Sequence, residues 1–98
     1  MFVKTYQYKI KKNNFQKWKK NNDTVTKLYR KYGGDFQRLI RKEDDFFHII
    51  ELGFYKSKKE FLKIIKQFDS NPKTDALFKE FLNLVHNKKF LEEEFDTV

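Results

Sequence analysis

The spacing of hydrophobic positions changes several times along the chain, and each change predicts the start of a new element. Residues 2–10 alternate between apolar and polar positions, which is typical of a strand with one buried face. From Phe15 to Tyr32 the apolar residues recur every three or four positions, as they do on one face of a helix. Gly33 and Gly34 predict the end of this helix, because glycine readily takes the left-handed conformation found there. On the first strand, the residues that share the predicted buried face are Phe2, Tyr6, Tyr8 and Ile10.

Two further strands, joined by a tight polar turn, are predicted in the middle of the chain. Residues 35–42 alternate in the same way as the first strand. Residues 46–55 are apolar on both parities, which predicts a central strand that is covered on both faces. Helices can cover only one face of such a sheet. The pattern therefore predicts that the second face is covered by a structure other than these helices.

The last part of the chain predicts two consecutive helices. Ser57 and Glu60 have the spacing of a capping box, which predicts a helix over residues 58–68. Asn71 and Pro72 predict the N-cap and the first position of the next helix, because proline is favoured at a helix start.

Residues 89–97 return to an extended pattern, so the predicted order is βαββαβ with paired helices in the second helical position. This order predicts the α+β class and a ferredoxin-like fold, with a four-stranded antiparallel sheet and the helices on one face. No linker or change of composition divides the chain, so residues 1–98 are predicted to form a single domain. A second copy, paired through a two-fold interface, is the simplest cover for the open sheet face.

The composition narrows the possible chemistry. The 98 residues include no cysteine and only two histidines, which excludes a disulfide framework, thiolate metal sites and histidine-rich metal sites. We therefore expect no metal. The chain also holds no glycine-rich phosphate loop, and we expect no organic cofactor. No apolar run is long enough to cross a membrane and no secretory leader is recognisable, so we expect a cytoplasmic protein without membrane contacts.

Basic residues are concentrated in the first half of the chain. The net charge is +8, and residues 1–42 hold 13 basic and 2 acidic residues, whereas residues 43–98 hold 9 and 12. Such asymmetry occurs in nucleic-acid-binding domains. However, only three of the 22 basic residues are arginine, which phosphate and base recognition favours. Nucleic-acid binding is therefore a less favoured alternative to a solvated basic face.

The order of elements and one stretch of sequence resemble a known family. Residues 51–61 contain a glutamate, an aromatic pair and a capped helix with an aromatic residue in its first turn. Asn71 and Pro72 are followed by the pattern Leu-Phe-Lys-Glu-Phe at residues 77–81. Both features resemble the antibiotic-biosynthesis-monooxygenase (ABM) group of dimeric α+β barrels. The topology covers the whole chain, and the residue-level resemblance covers about a third of it.

The resemblance implies a homodimer that binds small molecules between the sheet and the helices. Members include cofactor-independent oxygenases of aromatic compounds and haem-degrading enzymes. The haem-degrading members use an Asn on the first strand and a Trp and a His on later helices. Here Tyr6 or Gln7, Ile64 and Leu82 stand at those positions, so the resemblance does not extend to haem degradation.

Four residues are candidates for the lining of a ligand pocket, namely Tyr6, Tyr8, Trp18 and His48. The tyrosines and Trp18 lie on apolar faces, so packing in the core is the favoured role for all three. His48 lies in the central strand, which favours a buried neutral imidazole over a general base. Glu51 lies in the same strand and needs a partner, which we expect to be Arg38 or Arg41 across the hairpin.

These observations together predict an ABM-like protein that binds a small apolar or aromatic molecule, or oxidises it without a cofactor. No catalytic residue is identified. A non-catalytic homodimeric binding module of the same fold is the alternative, and a basic nucleic-acid-binding domain is the third possibility.

Overall fold

A four-stranded antiparallel sheet carries three helices on one face in the computed structural model, which describes residues 1–98. The strands are β1 (Phe2–Lys11), β2 (Gln37–Lys42), β3 (Phe46–Tyr55) and β4 (Leu91–Asp96). The helices are α1 (Phe15–Lys31), α2 (Lys58–Asp69) and α3 (Thr74–Leu84). The strands lie in the order β2-β3-β1-β4, and all neighbours are antiparallel. This arrangement confirms the predicted α+β, ferredoxin-like βαββαβ fold.

Successive side chains of a strand point to opposite faces, which divides the sheet into an interior face under the helices and an open face. On β1 the interior face includes Tyr8, whose register partner on β3 is Ile49. The helices cover only this face. On the open face four apolar side chains are about half exposed, namely Leu39, Phe54, Leu91 and Phe95.

The core consists of two groups of buried side chains under the helices. The first group contains Tyr8, Ile10, Trp18, Ile49, Leu84 and Val85. The second group contains Phe2, Tyr29, Tyr55, Phe61 and Ile64. The first group joins the sheet to α1 and α3, and the second joins it to α1 and α2. No helix of the structure is both long and apolar enough to span a bilayer.

Two helix termini form as the sequence predicts. Gly33 follows α1 with a φ of +91°, in the left-handed region that ends helices. The adjacent Gly34 faces the ring of Tyr29 so closely that a Cβ atom there would overlap it. At the start of α2, the Ser57 hydroxyl accepts a hydrogen bond from the backbone N–H of Glu60 at 3.2 Å.

Helix α3 begins at Thr74, two residues after the predicted first position at Pro72. The reason is that Asn71 forms a turn before the helix. Its Oδ1 accepts a hydrogen bond from the backbone N–H of Lys73 at 2.9 Å, and its Nδ2 donates to the Tyr32 hydroxyl at 3.0 Å. The side chain of Asn71 therefore closes a turn and binds the end of α1.

Candidate functional site

A cavity of about 570 Å³ lies between the interior face of the sheet and the three helices, and it is open to solvent. Ten of its seventeen lining residues are hydrophobic. Small-molecule sites in proteins commonly have this size and this mixture of apolar walls with a few polar groups. The aromatic lining residues are Tyr6, Tyr29, Phe36, Phe68, Phe78, Phe81 and Phe90.

Glu51 brings a carboxylate to the sheet side of this cavity. It lies on β3 between its register partners Tyr6 on β1 and Arg38 on β2, and it is only 7% exposed. The Nε of Arg38 donates to Glu51 Oε2 at 3.2 Å, and Arg38 Nη2 donates to Thr26 Oγ1 at 2.6 Å. The expected cross-strand partner of Glu51 is thus Arg38, which compensates a charge that burial would otherwise make costly.

A chain of buried hydrogen bonds holds the second oxygen of Glu51. The indole Nε1 of Trp18 donates to the Tyr8 hydroxyl at 2.9 Å, and this hydroxyl donates to Glu51 Oε1 at 2.7 Å. Tyr8 therefore uses its one donor and accepts from Trp18, so its hydroxyl is fixed. Since both oxygens of Glu51 accept hydrogen bonds, its carboxylate is held in one orientation.

Tyrosines in and behind the cavity wall have raised pKa values. Burial raises the pKa of Tyr8, and the nearby Glu51 raises it further. Burial also raises the pKa of Tyr6, and Glu92 adds to this effect. The pKa of Tyr29 is raised by burial and by its 2.6 Å hydrogen bond with Tyr55. These hydroxyls are neutral at physiological pH and act there as hydrogen-bonding groups.

The four pocket candidates occupy different places in the structure. Tyr6 lines the cavity. Tyr8 and Trp18 are 3% and 4% exposed and lie behind Glu51, so they support the wall and do not form it. Their favoured role as core residues is consistent with this burial. The structure thus places one candidate at the surface of the cavity and two in the layer behind it.

His48 does not belong to this cavity, because it lies on the open face of the sheet. Its register partners Lys9 and Arg41 lie on the same face, opposite to Tyr8 and Ile49. The imidazole is half-buried, and its Nδ1 lies 2.7 Å from Nη2 of Arg41. The expected buried histidine is therefore a partly exposed side chain paired with an arginine, since strand alternation turns it away from the helices.

Several lining residues were not identified from the sequence. They come from the helices and include Asn21, Asn22, Val25, Asp69 and Asp75. Asn22 interrupts the apolar stripe of α1, and a polar residue in a buried stripe needs a partner. That interruption is the signal from which this wall could have been identified. The exposed aspartates give no such signal, since surface carboxylates are common.

Five of the ten lysines among residues 1–42 lie on α1. Lys19, Lys20 and Lys27 surround a shallow depression there. Phe15 and Trp18 point to the opposite side, where Phe15 contacts Phe47 with ring centroids 5.0 Å apart. The lysine surface therefore has no interleaved aromatic ring for base stacking, and nucleic-acid binding remains the less favoured alternative.

The carboxylates of the cavity are not arranged as a metal centre. No three His, Asp or Glu side chains of the chain converge in a way that could hold a metal ion. The four acidic lining residues come from separate elements, with Glu51 on β3, Asp69 on α2, Asp75 on α3 and Glu92 on β4.

Comparison with known proteins identifies the fold. No protein-family model matches the chain. No curated protein matches its sequence. Solved structures, in contrast, match over nearly the whole length of the chain.

The matching structures include NIPSNAP proteins. An uncharacterized NIPSNAP domain protein from Burkholderia xenovorans has a TM-score of 0.81 at 9% identity, covering 100% of this chain and 95% of the other. A NIPSNAP family protein from Agrobacterium tumefaciens has a TM-score of 0.80 at 11% identity, covering 99% and 92%. A third structure, named as an antibiotic biosynthesis monooxygenase, has a TM-score of 0.75 at 10% identity, covering 100% and 99%. The chain therefore has the ABM-like fold that its sequence resembles.

Replacement of the central hydroxyl, Tyr8→Phe, is expected to lower the free energy of unfolding by about 1–3 kcal/mol, because it leaves a carboxylate oxygen and an indole N–H buried without partners. Tyr6→Phe on the same strand and face is the matched control, since the Tyr6 hydroxyl makes no hydrogen bond within the chain. Its effect is expected to stay within about 0.5 kcal/mol. Urea unfolding of both variants measures the difference. Equal losses would contradict a structural role for the Tyr8 hydroxyl.

Proposed function

We propose that this protein binds a small apolar or aromatic molecule in the cavity between its sheet and helices, and that it does so as a homodimer paired through the open face. The cavity itself carries the binding proposal. A solvent-open cavity of about 570 Å³ with seven aromatic lining residues has the size and the largely apolar lining that are typical of small-molecule sites.

Polar groups on the sheet side give the cavity a place to orient its ligand. The Glu51 carboxylate is fixed by Tyr8 and Arg38. The neighbouring Tyr6 hydroxyl has no hydrogen-bond partner in the chain, so it can donate to a ligand or accept from one. Apolar walls with a few polar groups favour a molecule that has an aromatic body and a polar substituent.

Apolar side chains on the open face support the homodimer. Leu39, Ile50 and Leu91 lie in one row across the sheet, with Gln7 between the last two. Phe54 and Phe95 lie in a second row, on either side of Val3. Groups of exposed apolar side chains are typical of interaction sites. Since a two-fold axis places the same surface on both partners, a second copy fits this face.

Cofactor-independent oxygenation is a narrower form of the binding proposal, and Glu51 favours it. A carboxylate at the cavity surface can accept a proton from a bound substrate. The resulting carbanion then reacts with dioxygen, so that overall a CH₂ group and O₂ yield a carbonyl and water. A non-catalytic binding module of the same fold is the alternative, and it needs the cavity but no proton transfer.

Narrowing the cavity should weaken binding. The variant Val25→Phe adds volume at a lining residue of α1, whereas Thr24→Phe adds it at the adjacent exposed residue. In NMR titrations with naphthylmethanol, we expect saturable shifts of the Tyr29 and Asn22 amides in the native chain and in Thr24→Phe, and saturation only at higher probe concentration in Val25→Phe. Circular dichroism checks that both variants are folded. Shifts confined to the open face would contradict the proposed site.

The homodimer is tested by mass in solution. Sedimentation equilibrium of the native chain at micromolar concentration is expected to give twice the chain mass. Leu39→Lys on the open face should shift the equilibrium to monomer, because it buries a charge in the interface. Leu62→Lys is the control, because Leu62 is similarly exposed, at 52% against 54%, but lies on α2. A monomeric native chain would contradict the proposed pairing.

Oxygen uptake separates the oxygenase from the binding module. With a bound anthrone as substrate, an oxygenase consumes one O₂ for each quinone formed, and Glu51→Gln should reduce this rate by at least about 100-fold through loss of the general base. Ligand titration of the same variant shows whether binding persists. A native chain that binds anthrone without oxygen uptake above the uncatalysed rate would favour the binding module.

A further inference from the structure

The two edge strands of the sheet carry opposite charges. β2 and β4 lie at the two ends of the strand order, and each is six residues long. The basic residues of β2, which has no acidic one, are Arg38, Arg41 and Lys42. The acidic residues of β4, which has no basic one, are Glu92, Glu93, Glu94 and Asp96. All of these residues except Arg38 are exposed, so both edges are open to another chain.

The opposite signs have no explanation within a single chain that only avoids aggregation. Edge strands present unpaired backbone N–H and C=O groups, and charged side chains commonly keep other strands away from them. Charges of one sign on both edges would oppose every edge contact between two copies. Opposite signs oppose the contact of β2 with β2 and of β4 with β4, but they favour the contact of β2 with β4.

One antiparallel register matches the two edges position by position. It places Phe95 of one copy opposite Leu39 of another, and these residues are 50% and 54% exposed on the open face. The acidic residues that then lie opposite basic ones are Glu92 opposite Lys42, Glu93 opposite Arg41 and Asp96 opposite Arg38. In each pair both side chains lie on the same face of the sheet. A shift by two residues in either direction keeps the faces but leaves only one such pair.

Each of these three pairs contains one charge that the chain itself does not compensate. Lys42, Glu93 and Asp96 form no ion pair within the chain. Their opposite residues have intrachain partners, with Glu92 paired to Lys4 at 3.8 Å, Arg41 to Glu43 at 3.4 Å and Arg38 to Glu51 at 3.2 Å. Arg38 uses Nε and Nη2 for its contacts within the chain, so its Nη1 is free for a further acceptor.

We propose that these edge charges determine how a second copy of the chain pairs with the first, so that β2 of each copy lies beside β4 of the other. The assignment rests on the proposed homodimer and specifies its orientation. A two-fold axis that brings the open faces together can run along the strands or across them. An axis along the strands joins β2 to β4 twice. An axis across the strands joins β2 to β2 and β4 to β4, where like charges repel.

The charge-matched register also fits the geometry of a closed ring of eight strands. Within one sheet, Arg38, Glu51, Tyr6 and Glu92 lie in one row across the strands. Across the contact between copies, Arg38 lies opposite Asp96, which is four residues further along β4 than Glu92. Two such contacts displace the row by about eight residues around the ring, which is the displacement found in eight-stranded TIM barrels.

Introduced cysteines can test the orientation directly, because the chain contains none of its own. Leu39→Cys on β2 and Phe95→Cys on β4 are expected to face each other, since Cα atoms of antiparallel register partners lie roughly 4.5–5.5 Å apart, as disulfides require. The two single variants are mixed at micromolar concentration, left to exchange, and oxidised with glutathione disulfide. We expect a disulfide-linked dimer from the mixture. Each variant oxidised alone is the matched control and should remain unlinked.

Reversal of single charges tests whether the edges select this orientation. Glu93→Lys should raise the dissociation constant of the homodimer about tenfold, because it replaces an attraction by a repulsion at both contacts. Arg41→Glu should act in the same way, and both changes in one chain should restore most of the affinity. Asp23→Lys is the control, because it makes the same change of charge at an exposed residue of α1. Sedimentation equilibrium at low salt measures all four variants, since salt screens exposed pairs.

The outcomes separate this inference from the proposed homodimer. If each cysteine variant links to itself and the mixture gives no further product, like edges meet, and the orientation is wrong although the homodimer stands. A dimer in which no combination links overturns the register in the same way. If the double charge variant associates no more tightly than the single ones, the edge charges do not select the orientation. A native chain that sediments as a monomer overturns both the orientation and the homodimer.

Discussion

The buried carboxylate of Glu51 is the constraint around which much of this fold is arranged. A charge at this depth must be paired and hydrogen-bonded, because desolvation is costly. The partners come from three different elements, since Tyr8 lies on β1, Arg38 on β2 and Trp18 on α1. A single side chain on β3 thereby ties two neighbouring strands and the first helix together. A shift of one residue in either register would turn these partners to the other face.

The same network helps to explain why the interior contains a cavity. The two core groups are built around different parts of the sheet, one from Tyr8 and Ile49 and the other from Phe2 and Tyr55. Glu51 and Tyr6 occupy the row between them, and of the two only the Tyr6 hydroxyl has no partner within the chain. Close packing of hydrocarbon over this row would bury that hydroxyl without a hydrogen bond. An open space lined by rings and a few polar groups avoids that cost.

Periodicity was sufficient to predict the elements, because the apolar spacing of β1, α1 and β3 is nearly regular. The ion pair of Glu51 with Arg38 could also be predicted, because pairing across the hairpin leaves only Arg38 and Arg41 as candidate partners. Helix α3 was placed too early because Asn71 and Pro72 resemble a helix start, whereas the Asn71 side chain is used in a turn. The complete lining of the cavity could not be predicted from the sequence. Its walls depend on how α2 and α3 pack over the sheet, and no local pattern specifies that packing.

His48 illustrates the same limit at the level of one residue. A strand that is apolar on both parities does not reveal which parity faces the helices, so the sequence could not place the imidazole on the correct side. The neighbouring strand β1 resolves the question only through its register with β3. Long-range pairing of this kind is a property of the folded chain.

Gly34, the second of the two glycines after α1, affects the shape of the cavity as well as the end of the helix. Gly34 leaves a space that the ring of Tyr29 fills, and this ring stacks on Phe36 at 4.7 Å and meets Phe68 edge-on at 5.2 Å. All three rings line the cavity, whereas Gly34 does not. The width of the cavity therefore depends in part on a residue that does not line it. Gly34 carries a hydrogen atom where every other amino acid carries a Cβ atom. Among relatives of this fold, a methyl group at this one position would be enough to give a differently shaped chamber with every lining residue unchanged.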